Sequence, residues 1–474
     1  MDNLKYVKEN FEGCFDVKYR EVNTIIGKGT LVFIDDLINS QWLMEYMILP
    51  LRGFGKLKDS SGINNPKDLL DKVLDMGFVG FAEDKKDALI HVLSGEIILV
   101  LDDFEEIIFC DAKNFPRRGI GIPPTESVLK GPREGFNELI VDNIALIRRR
   151  LKNKDLKFEA IFAGSETNTA VALSYVKGIA PEELVNEIRE KLKSLDLRFI
   201  LDSNYIENKL RDKKSFFDTV GYTEKPDEVV AKILEGRIAI IVDGTPFVIT
   251  VPYFFIENFQ MPDDYYINRY VCNFFRVLRW CAFFIASFLP AIYTAIITYH
   301  FSMIPSLFIF RLAVSRAGVP IPTFLEVIIM MMAFQLIKEA GLRLPSPIGS
   351  AMGIVSGLIL GEAAVGAGIA SRITIIVVAI STLAYFLSPK IYGAVSFWSI
   401  IMVLTASMLG LAGFISMASI YIIMLCDMDS VGYSFLFPLG SISEHRFKDI
   451  LFRGNLDNIS ANVVGKDGMK NEKE

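Results

Sequence analysis

CAFFIASFLPAIYTAIITYHFSMIPSLFIF, Cys281 to Phe310, holds no Lys, Arg, Asp or Glu, although all four types crowd the sequence before it. A helix of that length, rising about 1.5 Å per residue, outruns the roughly 30 Å hydrocarbon core of a bilayer. The stretch therefore predicts a segment that crosses lipid. Further charge-free stretches lie between Arg343 and Glu362, between Arg372 and Lys390, and from Ile391 to Cys426. The last is too long for one untilted helix, and Gly410 and Gly413 within it permit a bend or a helix extending beyond the bilayer. Phe324 to Ala340 is weaker, with Glu326 near one end and Lys338 and Glu339 near the other. It spans thinly or lies at the interface. The reading is an all-α multi-span membrane domain over 276–427 with about five apolar segments, followed by a polar C-terminal tail over 428–474.

Working outward in the other direction, an internal repeat organises the soluble part. ALIHVLSGEIILVLDDFEEIIFC, Ala88 to Cys110, matches VVAKILEGRIAIIVDGTPFVITV, Val229 to Val251, in pattern. Each copy reads as a helix capped by Gly95 or Gly236 and running into a hairpin turned at Asp102-Asp103 or Asp243-Gly244. Leu93 and Leu234 are expected to face equivalent cores. Strands at Leu31 to Asp36 and Glu159 to Ser165 stand at a similar position in each half. The fold class is an α/β soluble region of two related subdomains, within 1–113 and 152–275, ahead of the membrane domain. A connector over 114–151 begins as Pro- and Gly-rich loop and ends as an amphipathic helix, Arg133 to Leu151. Duplication serves either plain scaffold building or a pair of lobes whose cleft senses a ligand or a neighbouring subunit.

The net charge of -6 is mild for a chain that is 51% hydrophobic, and no basic patch is interleaved with stacking aromatics, which argues against nucleic acid. Met1 to Asn10 is polar, so no cleavable signal peptide is expected. Arg269, Arg276 and Arg279 precede the first span and place the large N-terminal region on the cytoplasmic side. His445, Arg446, Lys448 and Arg453 hint that the tail lies there too. Five full crossings forbid that, so either Phe324 to Ala340 is not a true span or the tail lies outside.

Catalytic patterns do not hold together. Gly27-Lys28-Gly29-Thr30 lacks the spacing of a phosphate loop and precedes a strand. Gly164-Ser165-Glu166 lacks the flanks of a nucleophile elbow. Asp102, Asp103, Glu105 and Glu106 suit a solvated turn better than paired-carboxylate chemistry. The five cysteines show no C-x-x-C spacing and read as reduced, and His91 and His300 stand apart from any ligand-spaced cluster. No enzyme, metal site or cofactor is expected.

Gly349, Gly353, Gly357 and Gly361 recur at every fourth residue, a side-chain-free stripe along one helix face, with Ser350 and Ser356 beside it and Glu362 at its end. Such stripes let helices approach closely in lipid, either within one chain or between copies around an axis. An ionisable group at bilayer depth costs roughly 2.5 to 3.5 kcal/mol, so Glu362 and Glu326 are candidates to face a pore or cavity, or to reach the interface. In the connector, Pro123, Pro124, Glu126, Gly131, Pro132, Arg133 and Glu134 form the second candidate group. Gly131 to Glu134 reads as a helix start, and Arg133, a planar multi-donor group, is expected to tie the lobes together.

Phe115-Pro116-Arg117-Arg118, Pro123 to Ser127, Gly131 to Phe136 and Asn143 to Arg150 together resemble the signature of the GerA family of spore germination proteins, A subunit. Glu339 to Pro345, Pro347 to Gly349 and Gly361 to Val365 extend the resemblance through the membrane part. It implies a subunit of a nutrient (germinant) receptor in the inner membrane of the spore, assembled with itself, with a transporter-like B subunit and with a lipoprotein C subunit, and releasing ions once nutrient is sensed. Glu362 stands where Gln is usual in that family, Ser350 also replaces a common Gln, and Ile122 occupies a position often acidic. A carboxylate at 362 favours cations. The alternative is a membrane-anchored scaffold or signalling subunit that does not conduct. Secondary transport is weaker, because the spans show no inverted repeat.

Overall fold

The computed structural model describes residues 2–12, 14, 16–53, 63–74, 77–113, 119–212, 216–344, 346–439 and 449–454, without the side chains of residues 2, 36, 342 and 346–354. Phe115 to Arg118, Pro345, His445, Arg446 and Lys448 lie outside the described residues. The chain divides into two compact units, Met1–Arg117 and Arg118–Glu474.

The first unit begins with helix α1 (Asp2–Asn10) and is built on strands β1 (Val17–Thr24), β2 (Gly27–Ile34), β3 (Val79–Phe81), β4 (Ile97–Leu101) and β5 (Ile107–Cys110), with helix α2 (Lys85–Leu93). The sheet is antiparallel, in the order β1-β2-β4-β5-β3. Leu31, Leu99 and Ile108 face one hydrophobic layer, while Val32, Ile98 and Val100 face α1 and α2 through Val7, Ala88 and Val92. Because both faces are covered, β4 reads as an unbroken apolar run instead of alternating.

The second unit repeats the plan. Helix α3 (Ile140–Arg150) leads into β6 (Leu156–Ala163) and β7 (Thr169–Val176), followed by helix α4 (Glu182–Lys193), β8 (Gly221–Thr223), helix α5 (Pro226–Leu234), β9 (Ile238–Val242) and β10 (Val248–Val251). Its strand order, β6-β7-β9-β10-β8, is that of the first sheet. Equivalence extends to the helix ends. Gly95 and Gly236 have φ of +83° and +91°, and each closes the same paired bonds: Glu96 N–H to His91 O with Gly95 N–H to Val92 O, and Arg237 N–H to Lys232 O with Gly236 N–H to Ile233 O.

Two sequence expectations are corrected here. Leu93 and Leu234 are 60% and 40% exposed, and it is Val92 and Ile233, one residue earlier, that are buried. The helix end turns its final side chain outward as the chain reverses at the glycine. The strand at Leu31 falls in β2 but that at Glu159 falls in β6, so the two are not counterparts. Each lobe opens with a hairpin, Val17 paired to Ile34 and Leu156 paired to Val176, and the partner of β2 is β7.

The helical region continues the second unit with α6 (Arg269–Tyr299), α7 (Ser306–Arg316), α8 (Thr323–Arg343), α9 (Ser346–Gly366), α10 (Arg372–Tyr385) and the stretch Tyr392–Asp427. Among the described residues, Arg269–Tyr299 and Pro389–Asp427 are long and apolar enough to cross a membrane by length and composition. The run at 281–310 is not one helix, because α6 starts at Arg269 and stops at Tyr299, and Phe310 belongs to α7. Tyr392–Asp427 is not one rod either. Gly410 adopts φ +63°, ψ -141°, the Trp398 and Tyr421 rings lie 5.5 Å apart, and a Cβ on Gly413 would stand 2.8 Å from Leu409 Cβ. The stretch folds back as two antiparallel limbs, α11 (392–409) and α12 (411–427), each about 26 Å long at 1.5 Å per residue.

Contacts fix the direction of each helix. Tyr293 of α6 meets Thr374 at the start of α10 (3.0 Å), and Tyr385 at its end donates to Ala286 O (3.3 Å), so α6 and α10 are antiparallel. Glu326 of α8 reaches Ser371 and Thr374, while Gln335 reaches Tyr392, so α8 runs with α10. Positions 357 and 361 of α9 face Phe334 and then Ile375, so α9 runs against α8.

Candidate functional site: the connector and the membrane helices

The connector is extended, not helical, up to Leu139. Gly135 N–H bonds Gly121 O at 2.8 Å and Phe136 N–H bonds Glu224 O at 2.8 Å, and Phe136 is 2% exposed in the core of the second lobe. Only then does α3 begin. Asn143 Oδ1 accepts from Asn137 N–H (2.9 Å) and its amide donates back to Asn137 O (2.7 Å). The expected helix start at Gly131 to Glu134 is thus displaced to Ile140, because the tertiary bonds of Gly135 and Phe136 consume the backbone groups a helix would use.

Each connector candidate has a definite place. Gly131 has φ +129°, and a Cβ there would stand 2.6 Å from the Tyr266 ring; one on Gly135 would stand 3.0 Å from Pro123, which is buried. Pro124 is exposed. Pro132 O accepts from buried Lys225 Nζ at 2.9 Å. Arg133 is exposed and bonds none of the described residues; its neighbour Glu134 holds Arg149 and Arg150.

Glu126 opens a chain of buried charges. Its carboxylate accepts from Glu224 N–H (2.9 Å) and from the Thr223 hydroxyl, and pairs with Lys390 Nζ at 3.3 Å. Lys390 sits between α10 and α11, so this contact joins the connector to the helical region. Beyond Thr223, Glu228 pairs with Lys232 (3.0 Å), Lys232 with Glu257 (3.2 Å), Glu257 with Arg237, and Arg237 with Glu235 (3.0 Å). Burial would raise the Glu228 carboxyl, but Lys232 and Lys390 hold it down at about 2. Burial raises Glu235 to about 6 despite Arg237. Burial likewise opposes ionisation of Glu257, and Arg237 and Lys232 outweigh it.

A second cluster clamps the start of α6. Arg276, 1% exposed, bonds Asp264 (2.9 Å) and Asp449, Arg279 bonds Asp264 (2.7 Å), and Tyr265 donates to Asp449 at 2.6 Å. Met428–Phe435 returns from α12 to the same lobe, where Phe255 N–H bonds Phe435 O and Tyr253 N–H bonds Ser430 Oγ, each at 2.8 Å. Both ends of the α11–α12 hairpin therefore meet the second lobe. Sequence reading missed Lys390, Glu228, Glu257, Asp264 and Asp449, because a charge that is buried looks like any other until its partner is known.

The two membrane carboxylates differ. Glu326 is 0% exposed: its Oε2 accepts from Ser371 N–H (3.1 Å) and from the Thr374 hydroxyl (2.8 Å), while Oε1 faces Arg316 Nη2 at 3.2 Å without a hydrogen bond. It ties α7 and α8 to the start of α10. Glu362 is exposed and has no partner among the described residues. Gly349 and Gly353 lie on the α9 backbone. A Cβ on Gly357 would meet only Phe334 at 4.0 Å, and one on Gly361 only Ile375 at 3.9 Å, so the expected close backbone approach does not occur there within the chain. Among the described residues, no cluster of three or more His, Cys, Asp or Glu is placed to hold a metal ion. His91 stacks on Phe109 (3.8 Å) between Asp87 and Glu96.

Residues 5–462 match the family described as Bacillus/Clostridium GerA spore germination protein. The chain is 36% identical to spore germination protein KA of Bacillus subtilis (strain 168) over 460 residues, covering 95% of this chain and 84% of that protein. It is 31% identical to spore germination protein GerLA of Bacillus cereus over 456 residues, covering 95% and 92%. A crystal structure of the N-terminal domain of the A subunit of the Bacillus megaterium spore germinant receptor GerK3 is 30% identical, covering 53% of this chain and 94% of that one with a TM-score of 0.23. The chain belongs to the GerA family of spore germination proteins.

Proposed function

We propose that this chain is a germinant receptor A subunit whose copies assemble in the spore inner membrane around an ion path lined by α9. It works with a transporter-like B subunit and a lipoprotein C subunit. Helices α6, α8, α9, α10, α11 and α12 pass in alternating directions, an even number, so the large N-terminal region and the described part of the tail are both assigned to the cytoplasmic (core) side. Two soluble lobes, a connector, the membrane domain and the tail divide this subunit at 113, 151, 275 and 427.

The observation that carries this reading is the contrast between the two carboxylates. Glu326 has its partners inside the chain. Glu362 has none, on a helix whose glycine positions 357 and 361 are only loosely covered. A carboxylate left facing lipid costs several kcal/mol, whereas one facing water or a neighbouring copy does not. Nutrient binding elsewhere in the complex shifts the bundle between two packings, and the Glu126–Lys390 contact lets the lobe bias which is populated. Reconstitution of the receptor subunits in planar bilayers tests it: nutrient-dependent conductance whose cation preference weakens in Glu362→Gln supports the channel, whereas an assembled complex that passes no current leaves the non-conducting scaffold.

A further inference from the structure

A cavity of about 180 Å³ lies between α8, α10 and α11. Its polar wall is made by Gln335, Ser381, Thr382 and Ser396, and its apolar wall includes Met331 and Phe397. The hydroxyl protons are already committed. Ser381 donates to Val377 O (3.0 Å), Thr382 to Val378 O (2.8 Å) and Ser396 to Gly393 O (3.0 Å), so the free valences of all three hydroxyls are lone pairs. Gln335 Oε1 is occupied by the Tyr392 hydroxyl. The wall is thus a set of neutral acceptor oxygens with one spare amide donor.

Tyr385 also lines the cavity. Beside it stands Ser399, and Ser287 stands beside Tyr421. Ser287 and Ser399 are 0% exposed and Tyr421 is 1% exposed, and each serine hydroxyl has a tyrosine hydroxyl within reach, behind the cavity wall. The lone pairs of the Ser381, Thr382 and Ser396 hydroxyls that line the cavity call for water or an ion. At about 30 Å³ per water the cavity has room for roughly six.

We propose that this cavity binds one partly hydrated monovalent cation in each copy of the chain. Divalent cations demand carboxylates or a near-ideal shell, and no carboxylate lines the wall. An anion would find a single donor. Neutral hydroxyl oxygens and an aromatic face suit a weakly hydrated ion such as K⁺. The inference rests on the ion-conducting reading for its purpose, and adds to it a site inside the protomer, away from α9.

Tl⁺, a K⁺ surrogate that quenches tryptophan fluorescence, is titrated into the full chain in nanodiscs at constant ionic strength, in a Trp42→Phe/Trp280→Phe background that leaves Trp398. The expected result is saturable quenching, competed by K⁺ and not by choline. In Ser381→Ala/Ser396→Ala the apparent affinity falls about tenfold or more. The near-isosteric Thr382→Val gives a smaller loss and guards against misfolding. Quenching that is linear, indifferent to K⁺ and equal in all variants overturns the site and leaves only a hydrated void. Conductance is recorded separately: saturable Tl⁺ binding without current keeps the site and removes the channel reading, whereas current without saturable binding does the reverse.

Discussion

Lys390→Met tests the junction between lobe and membrane helices. The Lys390 and Glu126 side chains are 18% and 12% exposed and pair at 3.3 Å. Removing the cation leaves Glu126 facing Glu228 across Thr223, with Lys232 shared between Glu228 and Glu257. Breaking one partner of a buried pair costs about 3 to 5 kcal/mol, and the residual exposure puts this case at the lower end, about 3 kcal/mol. Glu126→Gln is milder, about 1 kcal/mol, because the amide oxygen still accepts from Thr223 and Glu224 N–H and Lys390 keeps Glu228 nearby. The double variant should recover about 1 to 2 kcal/mol of the summed loss. Chemical unfolding of the full chain in one detergent, followed by tryptophan fluorescence, measures all three. In spores the single Lys390→Met variant should leave protein in the membrane at reduced nutrient response. Single losses below about 0.5 kcal/mol that simply add would refute the coupling.

The charge chain also sets a pH profile. Glu228, lowered to about 2, contributes about 3 kcal/mol that is present above about pH 4.5 and lost as pH falls, whereas Glu235, raised to about 6, favours folding below 4.5 and loses up to about 2 kcal/mol as pH rises through 6. Melting of the full chain should therefore peak at about pH 4.5, and Glu235→Gln should flatten the alkaline side while Glu228→Gln removes the acid limb. Glu134→Gln should cost about 1 kcal/mol through Arg149 and Arg150, and Arg133→Ala less than about 0.5 kcal/mol, in the same unfolding assay. Gly410→Ala should cost about 3 kcal/mol or more, since a Cβ would stand 2.8 Å from His300 Cε1 in a backbone region close to glycine-only; cysteines placed at Met408 and Asp429 should be labelled from opposite sides of the membrane. Gly357→Leu should leave the monomer folded, because only Phe334 must give way, yet alter assembly or gating by cross-linking and ion release.

The repeat was legible because helix end, glycine, strand and turn are local signals, and both lobes carry the same hydrogen bonds at Gly95 and Gly236. The connector was not. Gly131-Pro132-Arg133-Glu134 has the composition of a helix start, but Phe136 finds a buried site on the second sheet and holds the chain extended. Hydropathy showed that 391–426 is apolar and too long, and it named Gly410, but a bend and a reversal have the same composition. Only the contact of Trp398 with Tyr421 distinguishes them. Glu326 and Glu362 looked alike in sequence, and their difference lies in Arg316, Ser371 and Thr374.

Restraint is unevenly distributed over the bundle, and that bears on where motion is possible. The start of α6 is held by Arg276 and Arg279 on Asp264, α11 begins at Lys390 on Glu126, and α12 ends in the segment bonded to Phe255 and Tyr253. At the opposite end Glu326 fastens α8 to α10. These are hydrogen-bonded charges in buried settings, where replacing one packing by another means breaking them. At Gly357 and Gly361, by contrast, α9 meets α8 and α10 only through Phe334 and Ile375 at ordinary van der Waals distance. Its rotation at those positions breaks no charged bond, and rotation re-aims Glu362. A displacement of Glu126 would act directly on Lys390 and so on the start of α11.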